Sequence, residues 1–173
     1  MKKFLVLVML VMFGFNLAGC SNKDAENVIR IHIRANSNSV HDQEVKLCVR
    51  DEIINYITPL ISICKNSSEV KDILNSNLNE IEDVVDEVLY LKGYHYKSNA
   101  EIRNEYFPSR DYDGVTFPSD YYDALIIELG TGKGDNWWCV AYPPLCFVGE
   151  DTGSNNVKYK SKIIELINKY FGE

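Results

Sequence analysis

The residues with chemistry to offer are few. A cysteine nucleophile needs a thiolate, a base within reach and donors for the developing oxyanion. Cys139 together with His32, His41 or His95 supplies such parts. Cys139 alternates with Trp137 and Ala141, a packing pattern, and no local motif sets a base beside it. A Cys/His hydrolase is therefore kept as an alternative only. The run Gly130-Thr-Gly-Lys-Gly-Asp135 invites comparison with a phosphate-binding loop. That loop requires Gly-Lys-Ser/Thr opening a helix, whereas Lys133 is followed by Gly134 and then by the strand-like Trp137-Trp138. The run reads as a hairpin turn. Asp111-Tyr-Asp113-Gly114 has two carboxylates before a glycine, but a calcium loop needs more oxygen ligands and a later Glu. The expectation is a protein with no catalytic residues, no metal, no cofactor and no small-molecule substrate.

The most unusual stretch is Trp137-Trp138-Cys139-Val140-Ala141-Tyr142-Pro143-Pro144-Leu145-Cys146-Phe147. Adjacent tryptophans in a strand point to opposite faces. One reading leaves a tryptophan exposed beside Tyr142 as an interaction hot spot. The other buries both under the C-terminal helix and the aromatic loop before Asp120. Cys139 and Cys146 flank the Pro-Pro turn and are the favoured bridge among Cys48, Cys64, Cys139 and Cys146. Four cysteines nevertheless allow three full pairings.

The first twenty residues read as an address. Lys2 and Lys3 precede a twelve-residue apolar run, Phe4 to Phe15, too short for the roughly 20 residues of a membrane span. The ending Leu17-Ala18-Gly19-Cys20 resembles the lipobox of bacterial lipoproteins, which implies diacylation of Cys20 and a lipid anchor in the membrane. Residues 1–20 are thus expected to be a lipoprotein signal peptide and 21–27 a tether. Without Lys2 and Lys3 the rest carries 16 basic against 25 acidic side chains, net −9. So acidic a chain is poorly suited to neutralise phosphates, which argues against nucleic acid as a partner.

These residues need elements to position them. Val28 to Ala35 alternates as a half-buried strand, with Ile29, Ile31, Ile33 and Ala35 on one face and Arg30, His32 and Arg34 on the other. Ser39 with Asp42 is an acidic variant of the capping box before a helix that Pro59 should kink or end near Thr58. Asn66 with Glu69 caps a second helix that Gly93 stops. Tyr94 to Arg103 alternates again; Glu105 to Asp120 is rich in turn residues. Asp123 to Leu129 reads as a central strand, Trp137 to Tyr142 as the strand returning from it, and Val157 to Phe171 as a helix. The class is α+β: a single two-layer domain over 28–150, a mostly antiparallel sheet with helices on one face, and residues 151–173 as its C-terminal helix. The other sheet face would carry Arg30, His32, Arg34, Lys97 and Arg103. That face is either a docking surface or a set of cross-strand pairs with Glu101 and Glu128.

Two blocks carry a family resemblance. Asn36-Ser37 with Asp42-Gln43, Lys46 and Val49-Arg50-Asp51 is the first; Tyr122-Asp-Ala-Leu125, Gly130-Thr-Gly-Lys-Gly, Asn136-Trp-Trp-Cys-Val and Pro143-Pro-Leu-Cys-Phe147 form the second. Together they resemble the stage II sporulation protein R family over about Val28 to Phe147. The resemblance implies a non-enzymatic signal, exported from the forespore into the intermembrane space of the sporulation septum. Its implied partner is a membrane-embedded aspartic protease of the mother cell, which then processes the pro-form of the mother-cell sigma factor. A lipobox departs from the secreted form usual for the family. It would hold the chain on the outer face of the forespore membrane. Trp137, Trp138, Tyr142, Asn36, Ser37, Arg30 and Arg34 are the expected partner contacts. A cell-wall-binding lipoprotein is the remaining alternative.

Overall fold

The computed structural model describes residues 27–112 and 115–143. The signal peptide and all of the tether but Asn27, Cys146 and the helix expected over Val157–Phe171 lie outside these. The chain opens with β1 (Ile29–Arg34), followed by helices α1 (Val40–Ile61), α2 (Ser67–Ser76) and α3 (Leu78–Leu91). Strands β2 (Ser98–Phe107), β3 (Arg110–Tyr112), β4 (Val115–Phe117), β5 (Asp120–Leu129) and β6 (Asn136–Tyr142) complete it. The main sheet runs β2-β5-β1-β6, and β3-β4 forms a small separate hairpin.

The architecture is α+β with the helices on one face and a mostly antiparallel sheet, as expected, with one parallel pairing that makes the sheet mixed. β1 is parallel to β5 and antiparallel to β6; β2 is antiparallel to β5. The stretch from Gly130 to Asp135 is therefore not a hairpin turn between paired strands. It carries the chain over the C-terminal end of β1, which lies between β5 and β6.

The odd residues of β1 meet the helices. Ile29, Ile31 and Ile33 pack with Val45, Val49, Ile53 and Ile57 of α1, Ile81, Val85 and Leu89 of α3, and Leu125, Ile127 and Leu129 of β5. A fully buried aliphatic side chain of this kind contributes roughly 1.5–3 kcal/mol, so this seam supplies most of the cohesion between layers. The opposite face is not simply polar. Val28, Phe107, Tyr122, Ala124, Ile126 and Val140 form a second apolar cluster, against which Tyr112, Phe117 and Trp138 pack.

The helix boundaries differ from expectation in two places. Ser39 does cap α1, accepting from the Asp42 N–H, but Pro59 sits inside the last turn and the helix runs on to Ile61. Pro59 has no proton for the carbonyl four residues before it, and the Thr58 hydroxyl donates to the neighbouring Ile54 carbonyl. The second helix is two. Asn66 caps α2 as read, but the chain breaks at Asn77, whose side-chain amide donates to the Ile73 carbonyl. A short polar side chain competing for backbone carbonyls favours that break. Strand β2 begins four residues later than its alternation suggested and runs through Phe107, so the stretch read as turn-rich holds the end of β2, the β3-β4 hairpin and the start of β5.

Candidate functional site

The end of β1 is where distant parts of the chain meet. Leaving the strand, Ala35 donates its N–H to the Asp135 carbonyl at 3.4 Å and accepts from Gly134 N–H at 2.7 Å. Thr131 donates its N–H to the Asn36 side-chain oxygen at 3.0 Å and its hydroxyl to the Asn36 carbonyl at 2.8 Å. Asp135 N–H donates to the Asn38 side chain at 2.6 Å. Gln43 reaches the Ser37 carbonyl, and the buried Lys46 ammonium donates to Gln43 and to the Asp135 carbonyl at 2.8 Å. Two glycines permit this closeness. A Cβ at Gly130 would stand 2.5 Å from Asn36 Oδ1, and one at Gly134 would lie 2.6 Å from the Ser37 carbonyl carbon, closer still to its oxygen.

Asp42 anchors the knot from below. Its carboxylate accepts from Ser37 at 2.5 Å, Asn36 at 3.1 Å and the Tyr96 hydroxyl at 2.7 Å. Burial alone would raise its pKa. The donors from Ser37, Tyr96, Asn36 and Ser39 outweigh burial and hold it below the ordinary carboxylate value. Burial lowers the Lys46 pKa, with Asp135 opposing. Tyr96 is pushed up, first by burial and then by the Asp42 carboxylate.

The face of the sheet away from the helices is held by charge. Arg34 pairs with Glu128 at 2.6 Å and with Glu105 at 2.7 Å. Arg103 binds Glu101, Glu105 and Glu128. His32 sets Nδ1 2.8 Å from Glu105 and Nε2 2.8 Å from the Asn136 amide oxygen. Burial would raise the Glu105 carboxyl; Arg103, His32 and Arg34 around it bring it below its ordinary value. The basic face is thus largely neutralised by cross-strand pairs, and Glu105 is its hub. Lys97 is not part of it: it pairs with Asp86 on α3.

Each expected contact residue now has a place. Arg30 is fully buried, so it is a framework residue and no partner contact. Its guanidinium donates to the Cys139 carbonyl at 3.0 Å and to the Tyr112 hydroxyl at 2.9 Å, with the rings of Phe107, Tyr112, Phe117 and Tyr122 4.7–5.5 Å away. Arg34 is tied in the charge ladder. Asn36 and Ser37 are half-buried and spent on the knot. Both tryptophans are half-buried: Trp137 packs on the helix-side core with Arg50 beside its ring, and Trp138 lies between His32 and Arg110. Tyr142 donates to the Lys65 carbonyl at 2.9 Å, at the far end of the sheet from the knot. Cys139 is engaged in a disulfide, so it offers no thiolate for a hydrolase; Cys48 and Cys64 are free. The expected pairing with Cys146 and the lipidation of Cys20 fall outside the described residues.

Two exposed apolar residues of α1 carry no mark in the sequence pattern. Val40 is 71% and Leu47 41% exposed on α1, while Asn38, Thr131 and Lys133 rim the loops. An apolar residue at the first position of a helix was the available signal. Among the described residues no cluster of three His, Cys, Asp or Glu could hold a metal ion, and no helix is long and apolar enough to cross a membrane.

The two sequence blocks that fold together here also decide the family. The family model described as Stage II sporulation protein R (spore_II_R) matches residues 25–152. The chain belongs to the stage II sporulation protein R family. The Stage II sporulation protein R of Bacillus subtilis (strain 168) is 34% identical over 128 residues, covering 74% of this chain and 57% of that protein. The chain therefore spans little more than half the length of that relative. No solved structure matches. The stretch shared with the stage II sporulation protein R family contains every described strand and helix, and the whole knot.

Proposed function

We propose that this protein is an exported sporulation signal. It is made in the forespore, held by a lipid on Cys20 at the outer face of that cell's membrane, and displayed to the intermembrane space of the septum. There it binds a membrane-embedded aspartic protease of the mother cell and activates it, and the protease then processes the pro-form of the mother-cell sigma factor. Family membership supports the sporulation role. The observation that carries the proposed contact surface is the knot: residues nearly 100 positions apart are spent on rigidly presenting one rim, with Val40 and Leu47 exposed on α1 and Lys133 exposed on the glycine loop.

An activating ligand must bind the active state of its receptor better than the inactive one. A rim built on hydrogen-bonded loops suits that task because little freedom is lost on docking. Asn36 and Ser37 then act by holding the rim, and Trp137 by flanking it.

The test is co-expression with the protease and its pro-sigma substrate. Val40→Asp is the sharpest variant, because an acidic first-turn residue suits the helix N-terminus and should leave the fold intact. Processing is expected to fall at least tenfold with unchanged thermal unfolding. Wild-type processing in Val40→Asp and Lys133→Glu alike would remove the rim from the contact. Cys20→Ala separates anchoring from binding: export with lost septal retention is expected.

A further inference from the structure

Strand β2 forms one edge of the sheet, and its outer side is only half covered. Ser98 N–H donates to Asp86 and Ala100 N–H to Glu82, both carboxylates of α3, at 2.8 and 2.7 Å. Those N–H groups therefore point away from β5. The β2-β5 register is unbroken from Ser98 to Phe107. In an antiparallel pair alternate residues turn their backbone groups the same way, so Ile102, Asn104 and Tyr106 also present theirs outward. Nothing in the described residues caps them. The next outward position is Pro108, which has no N–H.

We infer that this open edge pairs with β2 of a second copy of the chain, antiparallel and centred on Asn104. In that register Asn104 meets Asn104 of the second copy through two backbone hydrogen bonds, and Ile102 meets Tyr106 twice. Arg103 then faces Glu105 of the second copy on the charged side of the sheet, and Glu105 faces Arg103. The pairing ends where Ala100, already capped by Glu82, would meet Pro108, which has nothing to donate. The two registers directly on either side of it that keep the outward groups opposed fail on charge. One sets Arg103 against Arg103 and Glu101 against Glu105; the other sets Glu105 against Glu105. Like charges directly opposite destabilise a sheet. A register centred on Ile102 would also oppose Arg103 to Glu101, but it spends Ala100, whose N–H Glu82 already holds, against Asn104. The register centred on Asn104 is thus self-complementary about a two-fold axis with its outward N–H groups free to pair, as an isologous dimer requires. The 54% exposed Tyr106, edge-to-face with the 62% exposed Tyr121 at 5.7 Å, gains a cover from Ile102 of the second copy. The product is a continuous eight-stranded sheet. The inference goes beyond the signalling proposal and stands without it.

The experiment uses the full chain in mild detergent. Sedimentation over a concentration series should show a species of twice the chain mass. The amides of Ile102, Asn104 and Tyr106 should become more protected from hydrogen exchange as concentration rises. Asn104→Cys should form a disulfide-linked dimer under oxidising conditions, reversed by reductant, well above the background of the parent chain. Asn99→Cys, exposed on the same strand but outside the pairing, should not. Monomer mass throughout with no excess linkage at position 104 overturns the inference. Equal linkage at positions 99 and 104 overturns the register.

Discussion

Replacing Gly134 by alanine measures how tightly the knot is drawn. The new methyl would lie 2.6 Å from the Ser37 carbonyl carbon and 2.8 Å from Ala35 Cβ. Ordinary contact begins near 3.4 Å. The neighbours are backbone and a strand residue, so the Gly130–Asp135 loop must recede by about 1 Å. Overpacking of this kind costs about 1–3 kcal/mol. The shift also strains the Gly134 to Ala35 hydrogen bond at 2.7 Å and the two from Thr131 to Asn36, each worth about 1 kcal/mol net. The expected loss is about 3–5 kcal/mol, a large share of the roughly 5–15 kcal/mol that stabilises a domain. In urea that moves the midpoint by about 2–3 M for a slope near 1.5 kcal/mol per M. Gly93→Ala is the matched control. Its φ of 82° penalises a side chain, but no atom lies within 4 Å of the added methyl, so it should cost only about 1–2 kcal/mol. If the two variants unfold at the same urea concentration, the glycine loop is not the close-packed clamp described above.

Three further expectations can be checked on the same material. Asp42→Asn should lower stability by about 2–3 kcal/mol at neutral pH, since a charge-assisted acceptor for Ser37, Asn36 and Tyr96 becomes a neutral amide. Because the folded carboxyl titrates below its ordinary 3.8, the parent's advantage is full above that value and fades as pH falls through the depressed one. Burial lowers the His32 pKa below 6.5, with Asn136 and Glu105 opposing, so its contribution is complete above 6.5 and is lost as pH drops through the lowered value; in His32→Gln the acid limb of a stability–pH curve should flatten between those points. Arg30→Lys keeps the charge but loses the planar fork to the Cys139 carbonyl and the Tyr112 hydroxyl, and a melt should show about 2 kcal/mol of destabilisation; an unchanged melt would mean the four-ring box holds any cation equally well.

Local chemistry made several elements readable. Ile29, Ile31 and Ile33 alternate because only one face of β1 meets the helices, and Ser39 and Asn66 cap because their side chains satisfy N–H groups that a helix start leaves free. Partnerships between remote strands were not readable. Nothing near Val28–Ala35 says that β1 will separate β5 from β6, so the glycine run reads locally as a hairpin. Glu105 lay in a stretch dominated by turn residues, and only the pairing of β2 with β5 brings it beneath Arg34 and His32. Arg30 alternates with the polar residues of β1, yet the β3-β4 hairpin folds over it. Alternation tells which side a residue takes, not what will cover that side.

The place of β1 in the sheet also bears on when the molecule can close. It is the first described strand to leave the ribosome, yet both neighbours come late: Arg34 waits 94 positions for Glu128, and Arg30 waits 109 for Cys139. At a synthesis rate of about 5–20 residues per second, that is an interval of roughly 5–20 s. Throughout it the helices can form locally while β1 has neither neighbour to pair with. Contacts of such long sequence separation also slow closure once all the parts are present. A chain so wired remains open, and so threadable through a narrow pore, until its last described strand arrives.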